Sequence, residues 1–218
     1  MTDTYYTIAA AATGMYKDRG SKFLAYAFPI SSEEDSRSHL GALRKMHPKA
    51  HHHCFAWRLG LDGNNFRAND DGEPAGTAGR PILGQIDSFD LTNVLVIVVR
   101  YFGGTLLGTS GLIQAYKLSA ATALKEAEHI EKIVMDVFDI RFGYERMNQV
   151  MGAVKQLDLS IEQQDFSATG CKLQITIRHG ERAAVLRQFK AIVAAQHIET
   201  IQDDTAIEGL TIDYLFTQ

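Results

Sequence analysis

Hydrophobic and polar residues follow two different periods in the first 128 residues. Alternation with a period of two predicts strands, and a spacing of three to four residues predicts helices. The acidic run SSEED predicts a helix start at residue 31 or 32, and Pro48 follows its end near Met46. The predicted elements are strands at 5–12, 22–30, 51–59 and 91–102. The predicted helices run from 31 to 46 and from 112 to 128, with a short one after Pro81.

The strand at 91–102 has the strongest hydrophobic signal in the chain. Nine of its residues are apolar and most of these are β-branched or aromatic. Such a continuous run is typical of a strand that is buried on both faces. We therefore expect this strand in the interior of the first sheet.

The order of elements changes near residue 129. The pattern now predicts strands at 133–142, 159–165, 172–178 and 205–216, and helices at 144–157 and 183–195. This βαββαβ order is that of the ferredoxin-like fold. The sequence therefore predicts an α+β protein of two domains, residues 1–128 and 129–218.

Composition and charge limit the classes of function. The N-terminus lacks the segments of a signal peptide, and the apolar run at 91–99 is too short to span a bilayer. Two distant cysteines match no disulfide framework or zinc spacing, so we expect a cytoplasmic protein without a membrane contact. Residues 1–128 contain 13 basic and 13 acidic residues, and the remainder accounts for the net charge of −4. Nucleic-acid binding would therefore need a local basic patch.

Two glycine-rich loops are the candidates for chemistry. The second loop, residues 103–110, follows a buried strand and opens a helix, as a phosphate-binding loop does. Thr109 stands where that motif requires lysine, so nucleotide hydrolysis is not expected. Helix-start amides that hold an anion, or a tight turn without a ligand, both stay open.

The first loop, residues 69–81, contains Asp70, Asp71 and Glu73. Alternating oxygen ligands resemble a calcium loop, but Pro74 occupies the position that needs glycine. A magnesium site with one or two carboxylates and an Asp-Gly turn with solvated acids both remain open. We expect no tightly bound divalent ion.

Strand 51–59 contains His51, His52, His53 and Cys54. Alternation places His53 with Phe55 on a core face and His52 with Cys54 on the opposite face. We interpret that opposite face as an open platform with an exposed recognition histidine at His52, and a structural histidine is the alternative. A Cys–His nucleophilic pair is not expected, because residues two apart on a strand lie about 7 Å from each other.

Four strings together resemble the IMPACT/YigZ family over residues 20 to about 120. They are GSKF at 20–23, HHHCFAW at 51–57, DDGEPAGTAGRPIL at 70–83 and RYFGGTLLGTSGLIQAY at 100–116. The resemblance implies a first domain like domain four of elongation factor G, a ribosomal-protein-type βαβ fold. It implies a ferredoxin-like second domain, similar to domain five of that factor. Eukaryotic relatives regulate translation by competing for a ribosome-associated activator of a stress kinase that targets initiation factor two.

The family motif implies a binding groove on the first domain. Ser110 departs from the family's glycine and is compatible with a helix start. Pro81, Ala115 and Tyr116 also match the motif. The groove residues are Lys22, His52, Asp71, Gly72, Glu73, Pro74, Gly76, Thr77, Gly79, Arg80, Arg100, Tyr101, Phe102, Gly103, Gly104, Thr105, Gly108 and Gly111.

Three hypotheses of function follow. The first is a non-enzymatic binding protein linked to translation that contacts a ribosome, RNA or a translation-associated protein, without catalytic residues, metal or cofactor. Engagement of two to four phosphates would give a log–log salt slope of about −2 to −3, which Arg100→Ala should flatten by about one unit. The alternatives are a hydrolase or phosphotransferase that uses the acids of the first loop with His52, and a protein-interaction scaffold. The sequence predicts no oligomeric state.

Overall fold

The computed structural model describes residues 3–218, which form two compact units. The first unit contains residues 5–132, and the second contains residues 133–218 with the described residues before position 5. The assignment of 1–128 and 129–218 to independent domains stays a prediction. No helix in the described part of the chain is long and apolar enough to cross a membrane.

The first unit is built from seven strands and three helices. Their bounds are β1 (Thr4–Ile8), β2 (Ala12–Asp18), β3 (Ser21–Pro29), α1 (Glu33–Met46), β4 (His52–Leu59), β5 (Asn65–Asn69), α2 (Gly79–Ser88), β6 (Val94–Tyr101), α3 (Gly108–Glu126) and β7 (His129–Ile133). β1 and β7 pair with each other, and the other five strands form an antiparallel sheet of order β2-β3-β6-β4-β5. The interior position predicted for residues 91–102 is confirmed, since β6 is the central strand.

Both faces of this sheet carry hydrophobic clusters. Phe23, Cys54 and Val98 belong to one cluster with the apolar residues of α2 and α3. Trp57 and Ile97 belong to a second cluster, on the opposite face, which includes Leu43 of α1. Because β6 is covered on both faces, it needs the unbroken apolar sequence that it has.

The second unit has the predicted ferredoxin-like order. Its elements are β8 (Met135–Phe142), α4 (Met147–Gln156), β9 (Ser160–Ser167), β10 (Gly170–Arg178), α5 (Arg182–Ala194) and β11 (Leu210–Thr217). The sheet order is β11-β8-β10-β9, and the helices supply apolar residues to its core, among them Val150 and Phe189. The α+β fold class and the βαββαβ order are therefore confirmed.

Three predicted boundaries are wrong. The last strand of the second unit, expected from residue 205, begins at Leu210. The single strand expected at 5–12 is two strands that lie in different sheets, since β1 ends at Ile8 and β2 begins at Ala12. The helix expected from residue 112 begins four residues earlier, at Gly108, inside the glycine-rich loop. Gly108 has a φ of 73°, which glycine adopts without strain, so the helix starts at the loop's last glycine.

Candidate functional site

The two glycine-rich loops meet at one end of the five-stranded sheet. The register pairs Lys22 of β3 with Tyr101 of β6, and His52 of β4 with Arg100 of β6. The first loop follows β5 and the second follows β6. A hydrogen bond between the first loop and the end of β6 joins them, so the sequence motifs do come together in space.

Asp70 holds the first loop in shape. Its carboxylate accepts hydrogen bonds from the backbone amides of Gly76, Ala78 and Gly79 at 2.8–3.0 Å. Burial raises the pKa of the Asp70 carboxyl, but these amide hydrogen bonds outweigh burial and lower the pKa below its ordinary value. A carboxylate engaged in this way organises a loop and is poorly placed to take a proton from a substrate.

Asp71 joins the first loop to β4 and α1. One carboxylate oxygen accepts the backbone N–H of His53 at 2.7 Å, and the other accepts a hydrogen bond from Arg44 at 3.0 Å. Asp71 and Gly72 have φ angles of 41° and 89°, so the turn depends on the left-handed freedom of Asp-Gly. The predicted Asp-Gly turn is present, and its aspartate is ion-paired rather than solvated.

Glu73 and Arg100 form a buried ion pair beneath the loops. Their side chains are 4% and 6% exposed, and Arg100 Nη1 lies 2.5 Å from Glu73 Oε1. The same carboxylate oxygen accepts a hydrogen bond from the Tyr116 hydroxyl at 2.8 Å. The expectation that Arg100 contacts a polyanion is therefore wrong, because its charge is buried and already paired. The physical cause is its position in β6, where alternate residues face the α3 core.

The face of β4 that carries His52 is not an open platform. Cys54 and Ala56 on this face are fully buried in the cluster formed with α2 and α3. Burial raises the pKa of the Cys54 thiol far above its ordinary value. His52 Nδ1 lies 2.8 Å from the carbonyl oxygen of Asp71, and its Nε2 is 3.8 Å from Glu73 Oε1. His52 thus packs against the first loop rather than standing free.

The second loop is exposed and closely fitted at its base. A Cβ on Gly103 would lie 1.9 Å from the carbonyl carbon of Gly20, so only glycine fits this contact. Ser21 Oγ accepts the Gly103 amide at 3.2 Å. Phe102 just before this anchor is 41% exposed, and Leu106 after it is 81% exposed. The loop therefore presents apolar side chains from a fixed base.

The predicted groove residues differ in accessibility. Those that are exposed are Lys22, Gly72, Pro74, Arg80, Phe102, Gly103, Gly104, Thr105 and Gly108. Those that are partly buried are His52, Asp71, Gly76, Tyr101 and Gly111, and those that are buried are Glu73, Thr77, Gly79 and Arg100. The buried members can support a binding surface, and the exposed members can form it.

Further cations lie at the same end, and sequence reasoning missed them. Lys17 pairs in register with Lys22, and the Tyr101 hydroxyl lies 2.9 Å from His47 Nδ1 at the end of α1. That contact places the last turn of α1 and the segment after it beside the β3 start. We call the following residues the basic end: Lys17, Arg19, Lys22, Arg44, Lys45, Lys49, Arg80 and Arg100. Only the strand order shows that they are neighbours.

Charge is strongly separated along the first unit. At the basic end, eight basic residues accompany four acids, namely Asp18, Asp70, Asp71 and Glu73. At the opposite end, three basic residues accompany eight acids, which are Glu33, Glu34, Asp35, Asp62, Asp87, Asp90, Glu126 and Glu128. Ion pairs or loop amides engage three of the four acids at the basic end. The unit as a whole has a net charge of only +1, from 14 basic and 13 acidic residues, and its positive charge is concentrated at the site.

Among residues 3–218, no group of three or more histidine, cysteine, aspartate or glutamate side chains is arranged to hold a metal ion. The carboxylates of the three acids in the first loop do not converge on one point, because each contacts different partners. The loop amides hold Asp70, Arg44 holds Asp71, and Arg100 holds Glu73.

Comparison with known proteins identifies the family. The model of the Impact N-terminal domain matches residues 19–124, which lie within the first unit. The Escherichia coli IMPACT family member YigZ is 31% identical over 188 residues, covering 85% of this chain and 90% of that protein. The chain belongs to the IMPACT family. The Saccharomyces cerevisiae Protein IMPACT homolog is 42% identical over 97 residues, which cover 42% of this chain and 36% of the yeast protein.

A solved relative extends the likeness beyond the Impact N-terminal domain. The crystal structure of a hypothetical protein is 30% identical, with a TM-score of 0.70, and covers 87% of this chain and 94% of its own. The match therefore includes residues of both units. The yeast likeness, by contrast, is limited to less than half of this chain.

Proposed function

We propose that this IMPACT family member is a binding protein of translation control that contacts RNA through the basic end of its first unit. The observation that carries the proposal is the separation of charge within a unit of balanced composition. Six cations of the basic end are exposed and, among the described residues, form no ion pair: Lys17, Arg19, Lys22, Lys45, Lys49 and Arg80. A polyanion gains its binding energy from such clusters through the release of counterions.

The arrangement of the acids favours binding over hydrolysis. A general base or nucleophile needs a free lone pair directed at a substrate. The carboxylates of Asp70 and Asp71 instead accept hydrogen bonds from their own loop, β4 and α1. Glu73 is buried against Arg100. These contacts indicate that the three acids hold the first loop in place beneath the binding surface.

The family supplies the link to translation. The motifs of both loops are those on which the resemblance to translation regulators rests, and both loops border the basic end. RNA is the partner that best matches this chemistry, because ribosomes expose phosphate over much of their surface. A protein scaffold would not need six exposed cations at one end of the unit.

Direct binding measurements with the full chain test the proposal. We expect co-sedimentation with ribosomes, and binding of single-stranded RNA by fluorescence anisotropy, that weaken as salt rises. With three to four phosphates engaged, the log–log slope should be about −2 to −3. Lys22→Ala with Lys49→Ala should make the slope shallower by about 1.4, since each lysine accounts for about 0.7 on single strands.

A matched pair at the opposite end serves as the control. Arg37→Ala with Lys125→Ala removes the same charge from the acidic end and should leave the slope unchanged. Binding that ignores salt, or that weakens equally in both double variants, would overturn the proposal. Failure to bind ribosomes or free RNA at low salt would also overturn it and favour a protein partner.

A further inference from the structure

Phe102 is an exposed aromatic ring on a rigid support. The guanidinium carbon of Arg100 lies 5.6 Å from the Phe102 ring centroid and 5.4 Å from that of Phe23. Arg100 is in turn fixed by the buried carboxylate of Glu73. Phe102 therefore rests on a cation that cannot move away, which limits the entropy lost when the ring is contacted.

The surroundings of the ring leave it accessible. Phe102 is 41% exposed, and the exposed ring of His51 meets it edge-on at a centroid distance of 6.2 Å. Gly103 and Gly104 follow directly, so no side chain of the next two residues covers the ring. The Gly20 contact with Gly103 brings the turn that carries Arg19 close to the same place.

We infer that Phe102 is a stacking platform for an unpaired RNA base, with Arg19 and Lys22 placed to contact the adjoining phosphates. The inference rests on the proposed RNA binding and names its ligand as single-stranded or looped RNA. Aromatic side chains beside cationic grooves bind unpaired bases, because every base has a face to stack. A paired base inside a duplex offers no such face, so duplex RNA of the same charge binds less tightly.

Substitutions at Phe102 in the full chain separate stacking from charge. Phe102→Leu keeps an apolar side chain but removes the aromatic face, and it should weaken binding of a single-stranded RNA about 5- to 100-fold. Phe102→Tyr should retain wild-type affinity within about twofold. The salt slope of both variants should match that of the wild type, since no phosphate contact is lost.

Phe66 provides a matched control. It is 52% exposed in β5, and the Arg58 guanidinium carbon lies 5.6 Å from its ring centroid, as Arg100 does from Phe102. It lies toward the acidic end, opposite Arg58 in register. Phe66→Leu should therefore leave RNA affinity unchanged.

A 2-aminopurine base in the RNA reports stacking directly. We expect its fluorescence to fall on binding to the wild type and to Phe102→Tyr, and to stay high with Phe102→Leu. Salt-dependent binding with full affinity in Phe102→Leu, or equal affinity for duplex and single strand, would overturn the stacking inference and leave the proposed function standing. If the wild type shows no salt-dependent RNA binding, both the stacking inference and the proposed function are overturned.

Discussion

Replacement of Arg100 by methionine is the sharpest test of the site's internal construction. Arg100→Met keeps an unbranched side chain of similar length but removes the positive charge. The Glu73 carboxylate, only 4% exposed, then keeps the Tyr116 hydroxyl as its hydrogen-bond partner and loses its counter-charge. Removal of one member of a buried ion pair typically costs about 3–5 kcal/mol, because the other charge stays buried and uncompensated.

This cost is a large part of the stability of a typical domain, which is about 5–15 kcal/mol. With an m value of about 2 kcal/mol per molar urea, the unfolding midpoint should fall by about 1.5–2.5 M. The double variant Arg100→Met, Glu73→Gln should recover most of this loss, since no unpaired charge remains buried. The salt slope for RNA should not change under conditions where the variant is folded, because Arg100 reaches no phosphate.

Trp57 makes the measurement specific to the first unit. It is the chain's single tryptophan and is buried in β4, so its fluorescence during urea unfolding reports on this unit alone. Arg37→Met is the control, because Arg37 is 66% exposed and pairs with exposed glutamates; such pairs contribute at most about 1 kcal/mol. A midpoint for Arg100→Met within about 0.5 M of the wild type would refute the assignment of Arg100 to a buried supporting role.

Two further predictions concern other buried groups. Burial raises the pKa of Asp136, but hydrogen bonds, of which that from His179 is the largest, outweigh burial and lower this pKa. The stabilisation of the folded state by Asp136 is therefore present above the unfolded pKa of about 3.9. It is lost as the pH falls through the lower folded pKa. Urea unfolding midpoints, measured by circular dichroism, should fall less steeply at acid pH in Asp136→Asn than in the wild type. The same change at Asp203, which is 74% exposed, should leave this pH dependence unchanged. An unchanged pH dependence in Asp136→Asn would contradict the prediction. Both cysteines, Cys54 and Cys171, are buried, so iodoacetamide should modify them only after unfolding, and rapid labelling of the native protein would contradict the structure.

Local patterns in the sequence were sufficient for much of the fold. The apolar run of β6 predicts its central position, because a strand with apolar residues on both faces needs cover on both faces. The ferredoxin-like sheet of the second unit was also predictable. Each of its strands and helices shows the hydrophobic spacing typical of its type, and together they give the βαββαβ order. The start of α3 was missed because Gly108 looks like loop sequence although it begins a helix.

The roles of the charged residues could not be predicted in the same way. Arg100 lies 27 positions after Glu73, and Tyr116 lies another 16 beyond. No local pattern therefore indicates that Arg100 and Tyr116 donate hydrogen bonds to the same Glu73 oxygen. Alternation along β4 separates His52 and Cys54 from His53. It does not say which face the helices cover, and here they cover both.

The net charge of zero over residues 1–128 hid the most informative property of the first unit. Lys17, Lys22 and Lys49 come from segments before and after α1. The β2–β3 and β3–β6 registers and the His47–Tyr101 contact bring them together. The motif residues then fall into two groups with different tasks. Glu73 neutralises Arg100, Asp71 pairs with Arg44, and loop amides hold Asp70. The exposed lysines, with Arg19 and Arg80, are then the excess charge at this end. A binding surface for a polyanion can thus arise in a nearly neutral unit when acids at that surface act as internal supports.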